Sequence, residues 1–324
     1  MICLLVELAS AGLLQARQDT IYTSVLNSRK HRLGAQDNPT VGLFVSTDGG
    51  TTWNHRGWRG YTRTFYAEAG EDGSIWLACG NGVMRSTNGG TSFRVTTGWQ
   101  ITEVLKIKVD ALKPAVAYAA TAYGVFKTEN GGETWKEQNK GFLKPFVSDI
   151  VIDKHHPGRL LAASEDGVYL SSNGGAAWHR GGIDVKGVRT LIQHPTVRDL
   201  FFAGTEDDGV FVSQDGGKSW KATNGGLKDL TVYSIACDRS NPDILYVGTH
   251  GGGVYRSSDR GQNWSQKTEG LSNLVVHSVI VLPSNPAVLF AGTLNGGLFR
   301  STNSGEHWSF NSQEEAQVWG LWAR

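Results

Sequence analysis

One twelve-residue phrase recurs seven times along the chain. It reads 42-GLFVSTDGGTTW-53, 82-GVMRSTNGGTSF-93, 124-GVFKTENGGETW-135, 167-GVYLSSNGGAAW-178, 209-GVFVSQDGGKSW-220, 253-GVYRSSDRGQNW-264 and 297-GLFRSTNSGEHW-308. The third residue of each eight-residue core is Asp48, Asn88, Asn130, Asn173, Asp215, Asp259 or Asn303. These markers lie 40 to 44 residues apart. A fixed period of this length marks supersecondary units that bury their apolar faces only against one another.

Each period has a further substructure. An apolar run such as 232-VYSIAC-237 leads to a proline turn, 238-DRSNPD-243, then to a second run ending in small residues, 244-ILYVGT-249. The phrase follows, and its aromatic residue opens a short polar run. The runs are four to seven residues long, rich in β-branched and aromatic residues and bounded by turn formers. No segment sustains a 3.6-residue period, so the chain is predicted to be all-β with almost no helix. Many runs are apolar on both faces, which suits sheets covered on both sides. Four-stranded sheets at this period, packed face to face around an axis, make a propeller. The expectation is one seven-bladed β-propeller over residues 1–324, with four antiparallel strands per blade and the phrase cores at 46–53, 86–93, 128–135, 171–178, 213–220, 257–264 and 301–308.

A ring must be closed, because an open one leaves sheet edges free. The tail 318-VWGLWA-323 matches the first strand of a unit, and nothing follows it. Near the start, 19-DTIYTSV-25 matches a second strand. The C-terminal strand is therefore expected to complete the blade begun at the N-terminus; the alternative places that strand at residues 2–9.

Inside each phrase, Asp or Asn accepts backbone hydrogen bonds in a turn, glycines supply positive φ, and the aromatic residue anchors the turn. The anchors are Trp53, Phe93, Trp135, Trp178, Trp220, Trp264 and Trp308. Four of the seven acids are Asn, which keeps the acceptor oxygen but loses the charge. A catalytic or calcium-binding role needs that charge, so the phrase reads as a structural joint. Its S-x-D-x-G-x-T-W core resembles the Asp-box, or bacterial neuraminidase repeat. The flanking proline-turn and LYVGT elements resemble bacterial propellers related to the photosystem II assembly/stability factor, the sortilin ectodomain and xyloglucan-cleaving glucanases. The resemblance implies the architecture; its members differ in function.

Two function classes remain open. In such a blade the links between blades and the loops between strands 2 and 3 share the face opposite the Asp-boxes, and loops on a regular scaffold carry function. The link 54-NHRGWRGYTRTFY-66 places Arg56, Arg59 and Arg63 among Trp58, Tyr61, Phe65 and Tyr66. Arginine with aromatics suits carboxylates, peptides or sugars. Lys140, Lys144, Lys186 and Arg189 lie in other links and add positive charge. The first reading is a non-catalytic scaffold for a protein or peptide, acidic or ending in a carboxylate, bound through Arg56, Trp58, Arg59, Tyr61, Arg63, Lys140, Lys144, Lys186 and Arg189. The alternative is a glycoside hydrolase or carbohydrate-binding propeller. No RIP tripeptide occurs, and neither a sialidase arginine triad nor a catalytic carboxylate pair can be assigned. No cofactor or metal is implied: His155-His156 sits in a proline turn without a second ligand pair, and Cys3, Cys79 and Cys237 form no CxxC. A net charge of +1 gives no field for nucleic acid or anionic membrane, and no apolar run reaches membrane-spanning length. The first 17 residues lack a basic n-region and carry Glu7, a poor secretory signal that leans the reading toward the cytoplasm, while the resemblance is compatible with a periplasmic or secreted protein.

Overall fold

Residues 19–30, 39–57, 62–183 and 185–324 are described by a computed structural model. Among them, twenty-eight strands form seven four-stranded sheets. Every strand pairing is antiparallel.

The inner strands line a central channel in the order Ala316–Ala323 (blade 1), Thr64–Ala69 (2), Val104–Val109 (3), Val147–Ile152 (4), Val188–Gln193 (5), Val232–Cys237 (6) and Val276–Val281 (7). Blade 1 mixes the two ends of the chain. Its second strand, Ile21–Ser28, pairs with Ala316–Ala323, and Tyr22 lies opposite Trp322 with ring centroids 5.2 Å apart. The C-terminal clasp therefore forms as the sequence predicts; the alternative strand at residues 2–9 lies outside the described residues.

The joint is built from the same bonds seven times. The first hydroxyl of each core accepts the N–H of the second glycine position at 2.8–3.0 Å. The Asp or Asn Oδ1 accepts the N–H four residues on at 2.9–3.0 Å. What differs is the second carboxyl atom. In the Asp215 core, Ser219 Oγ donates to Asp215 Oδ2 at 2.5 Å. In the Asn88 core the direction reverses, and Asn88 Nδ2 donates to Ser92 Oγ at 2.9 Å. A hydroxyl both donates and accepts, so the joint is indifferent to the swap. Two hydrogen bonds from Thr52 head the causes that hold Asp48 well below the usual carboxylate range, at about 2.

The tryptophans tie blade to blade. Trp178, Trp264 and Trp308 donate Nε1–H to the Gln138, Thr223 and Lys267 carbonyls of the preceding blade at 2.8, 2.8 and 3.0 Å. At the seam between blades 7 and 1, Trp53 donates instead to Asn311 Oδ1 at 2.8 Å, and Asn311 Nδ2 returns a bond to Gly50 O. Trp220 bonds only within its own core, to Gly217 O. In blade 1 the second glycine of the core fills a space no side chain can share: a Cβ on Gly50 would lie 2.2 Å from the Phe290 ring.

Candidate functional site

Backbone bonds fix which segments share a face. The link residue Glu103 donates to Gly80 O in the strand 2–3 loop of blade 2, and Gly187 donates to Glu165 O in that of blade 4. On the opposite face the Asp-boxes bond the proline turns, as in Gly174 N–H to Gly158 O and Gly216 N–H to Asp199 O.

On the link face, the predicted basic residues do not form one free patch. Trp58, Arg59 and Tyr61 lie outside the described residues. Arg56 is not in a link. It ends the outermost strand of blade 1, Asn54–Arg56, and its stem leans toward the next Asp-box, where a Cβ on Gly90 would lie 3.3 Å from Arg56 Cβ. Arg63 stands 3.9 Å from Glu103 and 5.6 Å above the Phe65 ring. Lys144 is 3.8 Å from Glu165, and Arg189 is paired with Glu206 at 2.6 Å. Lys140 and Lys186 are exposed, and with Arg56 they make no ion pair among the described residues. Lys186 borders a cleft of about 390 Å³ between blades 4 and 5, facing Glu206, Asp207 and Asp208.

Of what the structure does bring together, the sequence singles out only Phe65 and Arg189. Each inner strand carries one extra residue at its second or a nearby position, where the ladder to the neighbouring strand slips. These seven bulge residues are Trp319, Phe65, Leu105, Ser148, Arg189, Tyr233 and His277, one per blade, ringing the channel mouth on the link face. A bulge re-aims its side chain and recurs beside functional sites. Around blades 6, 7, 1 and 2 the ring is aromatic. Tyr233 and His277 lie 4.8 Å apart at 35°, His277 and Trp319 stack at 4.4 Å and 25°, and Phe65 meets Trp319 edge-on at 5.9 Å. His250 extends the arc, accepting or donating a 2.8 Å bond with Tyr233 Oη. Burial, with His250 nearby, pushes the His277 pKa down to about 4, so this imidazole is neutral at pH 7.

Below the mouth, blades 2 to 5 carry a closed polar network. Lys106 lies 3.7 Å from Asp149 and 3.8 Å over the Tyr66 ring. Asp149 also accepts from Thr190 Oγ1 at 3.2 Å and Leu191 N at 3.1 Å. Lys108 donates to Glu68 at 2.6 Å, and Glu68 accepts Val109 N–H at 3.0 Å. Burial opposes the charge on Lys108, yet Glu68 and Tyr66 outweigh it and the net shift is upward. Both channel carboxylates are thus held by a lysine and by backbone N–H groups.

A second cluster lies on the Asp-box face. Asp153, His156 and Asp199 have the proximity of metal ligands, but Arg159 bonds both carboxylates and fills the place a cation would take. Asp153 also accepts from His155 N, His156 N and Gln193 Nε2, so its oxygens are engaged within the turn itself. Burial pushes the Cys79 and Cys237 thiols up to about 12, far from a reactive thiolate. Among the described residues, no helix is long and apolar enough to cross a membrane.

Comparison with known proteins agrees with this architecture. The BNR/Asp-box repeat model matches residues 44–55 and 211–222. No curated protein matches the chain in sequence. Among solved structures, a GH74 xyloglucanase from Xanthomonas campestris is 19% identical, with a TM-score of 0.64 over 76% of this chain and 45% of that one. YCF48 bound to D1 peptide is 16% identical, with a TM-score of 0.63 over 89% of this chain and 90% of that one. YCF48 from Cyanidioschyzon merolae is 14% identical, with a TM-score of 0.59 over 79% and 86%. The chain spans less than half the length of the xyloglucanase, and at these identities the likeness is one of fold.

Proposed function

We propose that this seven-bladed Asp-box propeller is a non-catalytic scaffold that binds a peptide segment of a protein partner at the channel mouth on the link face. The observation that carries the reading is the bulge ring: seven consecutive blades aim one side chain each at the mouth, and four neighbouring ones are aromatic. A ring of packed aromatics with a polar rim is the composition of a binding hot spot. Lys186, exposed beside Glu206, Asp207 and Asp208, and Lys140, whose carbonyl accepts the Trp178 N–H, make no ion pair among the described residues, and their charge is compatible with an acidic or carboxylate-terminated segment. The likeness to YCF48, solved with a D1 peptide, along most of both chains is compatible with peptide binding.

The rival reading, a glycosidase, needs two facing carboxylates free to act as acid and base or nucleophile. Glu68 and Asp149 are each engaged by a lysine and a backbone N–H, which weighs against that use of the channel. The test is a peptide array and a glycan array probed with the full chain and with Trp319→Ala, Lys186→Ala and Lys218→Ala. Lys218 lies on the Asp-box face and is the control. Peptide signals lost in Trp319→Ala and weakened in Lys186→Ala, but kept in Lys218→Ala, support the scaffold. Signals confined to glycans, or equal in all three variants, refute it.

A further inference from the structure

Three of the seven joints place Asn directly before Gly: Asn88–Gly89, Asn130–Gly131 and Asn173–Gly174. In such a pair the glycine nitrogen can attack the asparagine side-chain carbonyl, because glycine has no Cβ to block the approach. The attack is intramolecular, which favours it further. The three joints ready the electrophile alike. Each Oδ1 accepts two hydrogen bonds, from the first hydroxyl of the core at 2.9–3.0 Å and from the N–H four residues on at 3.0 Å. Donors on that oxygen stabilise the charge it gains as the carbon is attacked. The three glycines also share one backbone conformation, with φ of 67°, 70° and 68°.

The nucleophiles differ. Gly131 is buried and its N–H bonds Ala115 O at 2.8 Å. Gly174 is half-buried and its N–H bonds Gly158 O at 2.8 Å. The Gly89 N–H has no hydrogen-bond partner among the described residues, and Asn88 and Gly89 are both exposed. The cause lies in the turn between the first two strands of the blade. In blades 3 to 7 this turn closes over seven residues, as from Asp110 N–H to Val116 O, and its sixth residue accepts the Asp-box N–H. In blade 2 it closes over five, from Gly70 N–H to Ser74 O, so no sixth residue reaches Gly89.

We propose that Asn88 is a site of spontaneous deamidation, which turns this Asn joint into an Asp joint within the folded protein. Gly89 N loses its proton to solvent and forms a bond to Asn88 Cγ. The former Nδ2 takes up a proton and leaves as ammonia, and a succinimide ring remains. Water then opens the ring. Cleavage of the Cγ–N bond restores the ordinary backbone with an aspartate side chain. Cleavage of the bond from the Asn88 main-chain carbonyl carbon to N gives isoaspartate, whose backbone is one carbon longer. The first product fits. It needs only the arrangement seen at Asp215, where Ser219 Oγ donates to Oδ2, and Ser92 stands in the same place. The second inserts a carbon between residues that must reach Ser86 Oγ from Gly90 N–H at 2.9 Å, and so disrupts the joint. The aspartate is also an end point. Hydrogen bonds from Thr52 hold the pKa of Asp48, the matching residue of blade 1, at about 2, and an ionised carboxylate resists a second attack.

The experiment keeps the intact, folded protein at neutral pH in heavy-oxygen water over weeks, then digests it in ordinary water and maps the peptides by mass spectrometry. Only conversions made during the incubation carry the heavy oxygen. Asn88 is expected to convert about 5- to 10-fold faster than Asn130 or Asn173, the value of one hydrogen bond freed from the nucleophile. In urea that unfolds the chain, the three rates are expected to agree within about twofold, since the local sequences are alike. No conversion at Asn88 in the folded protein, or equal rates at the three sites, overturns the proposal. The same ranking in urea as in the fold also overturns it, because the short turn would then play no part. Asn88→Asp is expected to keep the melting temperature and elution volume of the parent chain. A marked fall in either overturns the claim that the joint accepts the product.

Discussion

His277 offers a quantitative test of how the channel mouth is built. Its imidazole lies between Tyr233 and Trp319, and burial, helped by His250, takes its pKa from 6.5 to about 4. In the unfolded chain the same imidazole binds its proton near the ordinary value. Between pH 6.5 and 4 the unfolded state therefore holds more protons than the folded one, and stability falls as the pH is lowered through that window. The stabilisation is complete above about pH 6.5 and gone below about pH 4. The shift converts to about 3 kcal/mol at 1.36 kcal/mol per unit. His277→Phe keeps a planar ring in the stack and removes the titration. Urea melts of both proteins at pH 7.5, 5.5 and 4.0 supply the comparison, and groups that do not interact with His277 cancel in the difference. The wild type is expected to lose about 3 kcal/mol more than His277→Phe between pH 7.5 and 4.0. Curves that run parallel within about 0.5 kcal/mol would mean that the imidazole is solvated, and the stacked arc would be wrong.

Other perturbations probe the joint and the closure. Trp308→Ala removes a fully buried ring with a bond to the preceding blade and is expected to cost ~3–5 kcal/mol in urea melts, more than Trp220→Ala, whose ring is half-buried and bonds only its own core. Asp215→Asn is expected to cost under ~1 kcal/mol, because Ser219 can turn its hydroxyl to accept, as Ser92 does for Asn88; a loss as large as that of Trp308→Ala would refute the structural account of the Asp-box. Gly50→Ala combines positive φ with a clash against Phe290 and is expected to cost more than ~2 kcal/mol, read by thermal melting. Deleting residues 316–324 removes the inner strand of blade 1 and is expected to give an associating, weakly folded chain by size-exclusion chromatography; a monomer with an unchanged melting temperature would show that the clasp is dispensable.

The fold was legible because its determinants repeat. Seven Asp-boxes fixed the blade count, and the Asp–Asn interchange showed that only an acceptor was needed. The unmatched first strand at 318–323 announced the clasp. The mouth was not legible by the same logic. Trp319, Phe65, Leu105, Ser148, Arg189, Tyr233 and His277 share a position but no chemistry, so no motif links them. A signal was present in the register: all of these residues follow a Thr or Val, and all but Trp319 follow the one that opens the paired part of the inner strand, as in Val232–Tyr233 and Val276–His277. Composition drew the eye to the arginines instead. A sequence counts their charges without showing that Glu103 stands by Arg63 and Glu206 by Arg189, or that Arg56 continues an outer strand.

The placement of the last strand has a consequence for biosynthesis. Ile21–Ser28 leaves the ribosome long before its inner partner Ala316–Ala323. At the usual ~5–20 residues per second, the wait is tens of seconds. During that time six blades can assemble as an open crescent, with one raw edge on Ile21–Ser28 and the other on blade 7. Each nascent crescent presents to its neighbours on a polysome the edge that its own tail will later occupy. The C-terminal strand of another chain carries the same sequence, so crowding at this stage favours exchange of that strand between chains. A cell making this propeller quickly would need a holding chaperone for the crescent more than for the finished ring.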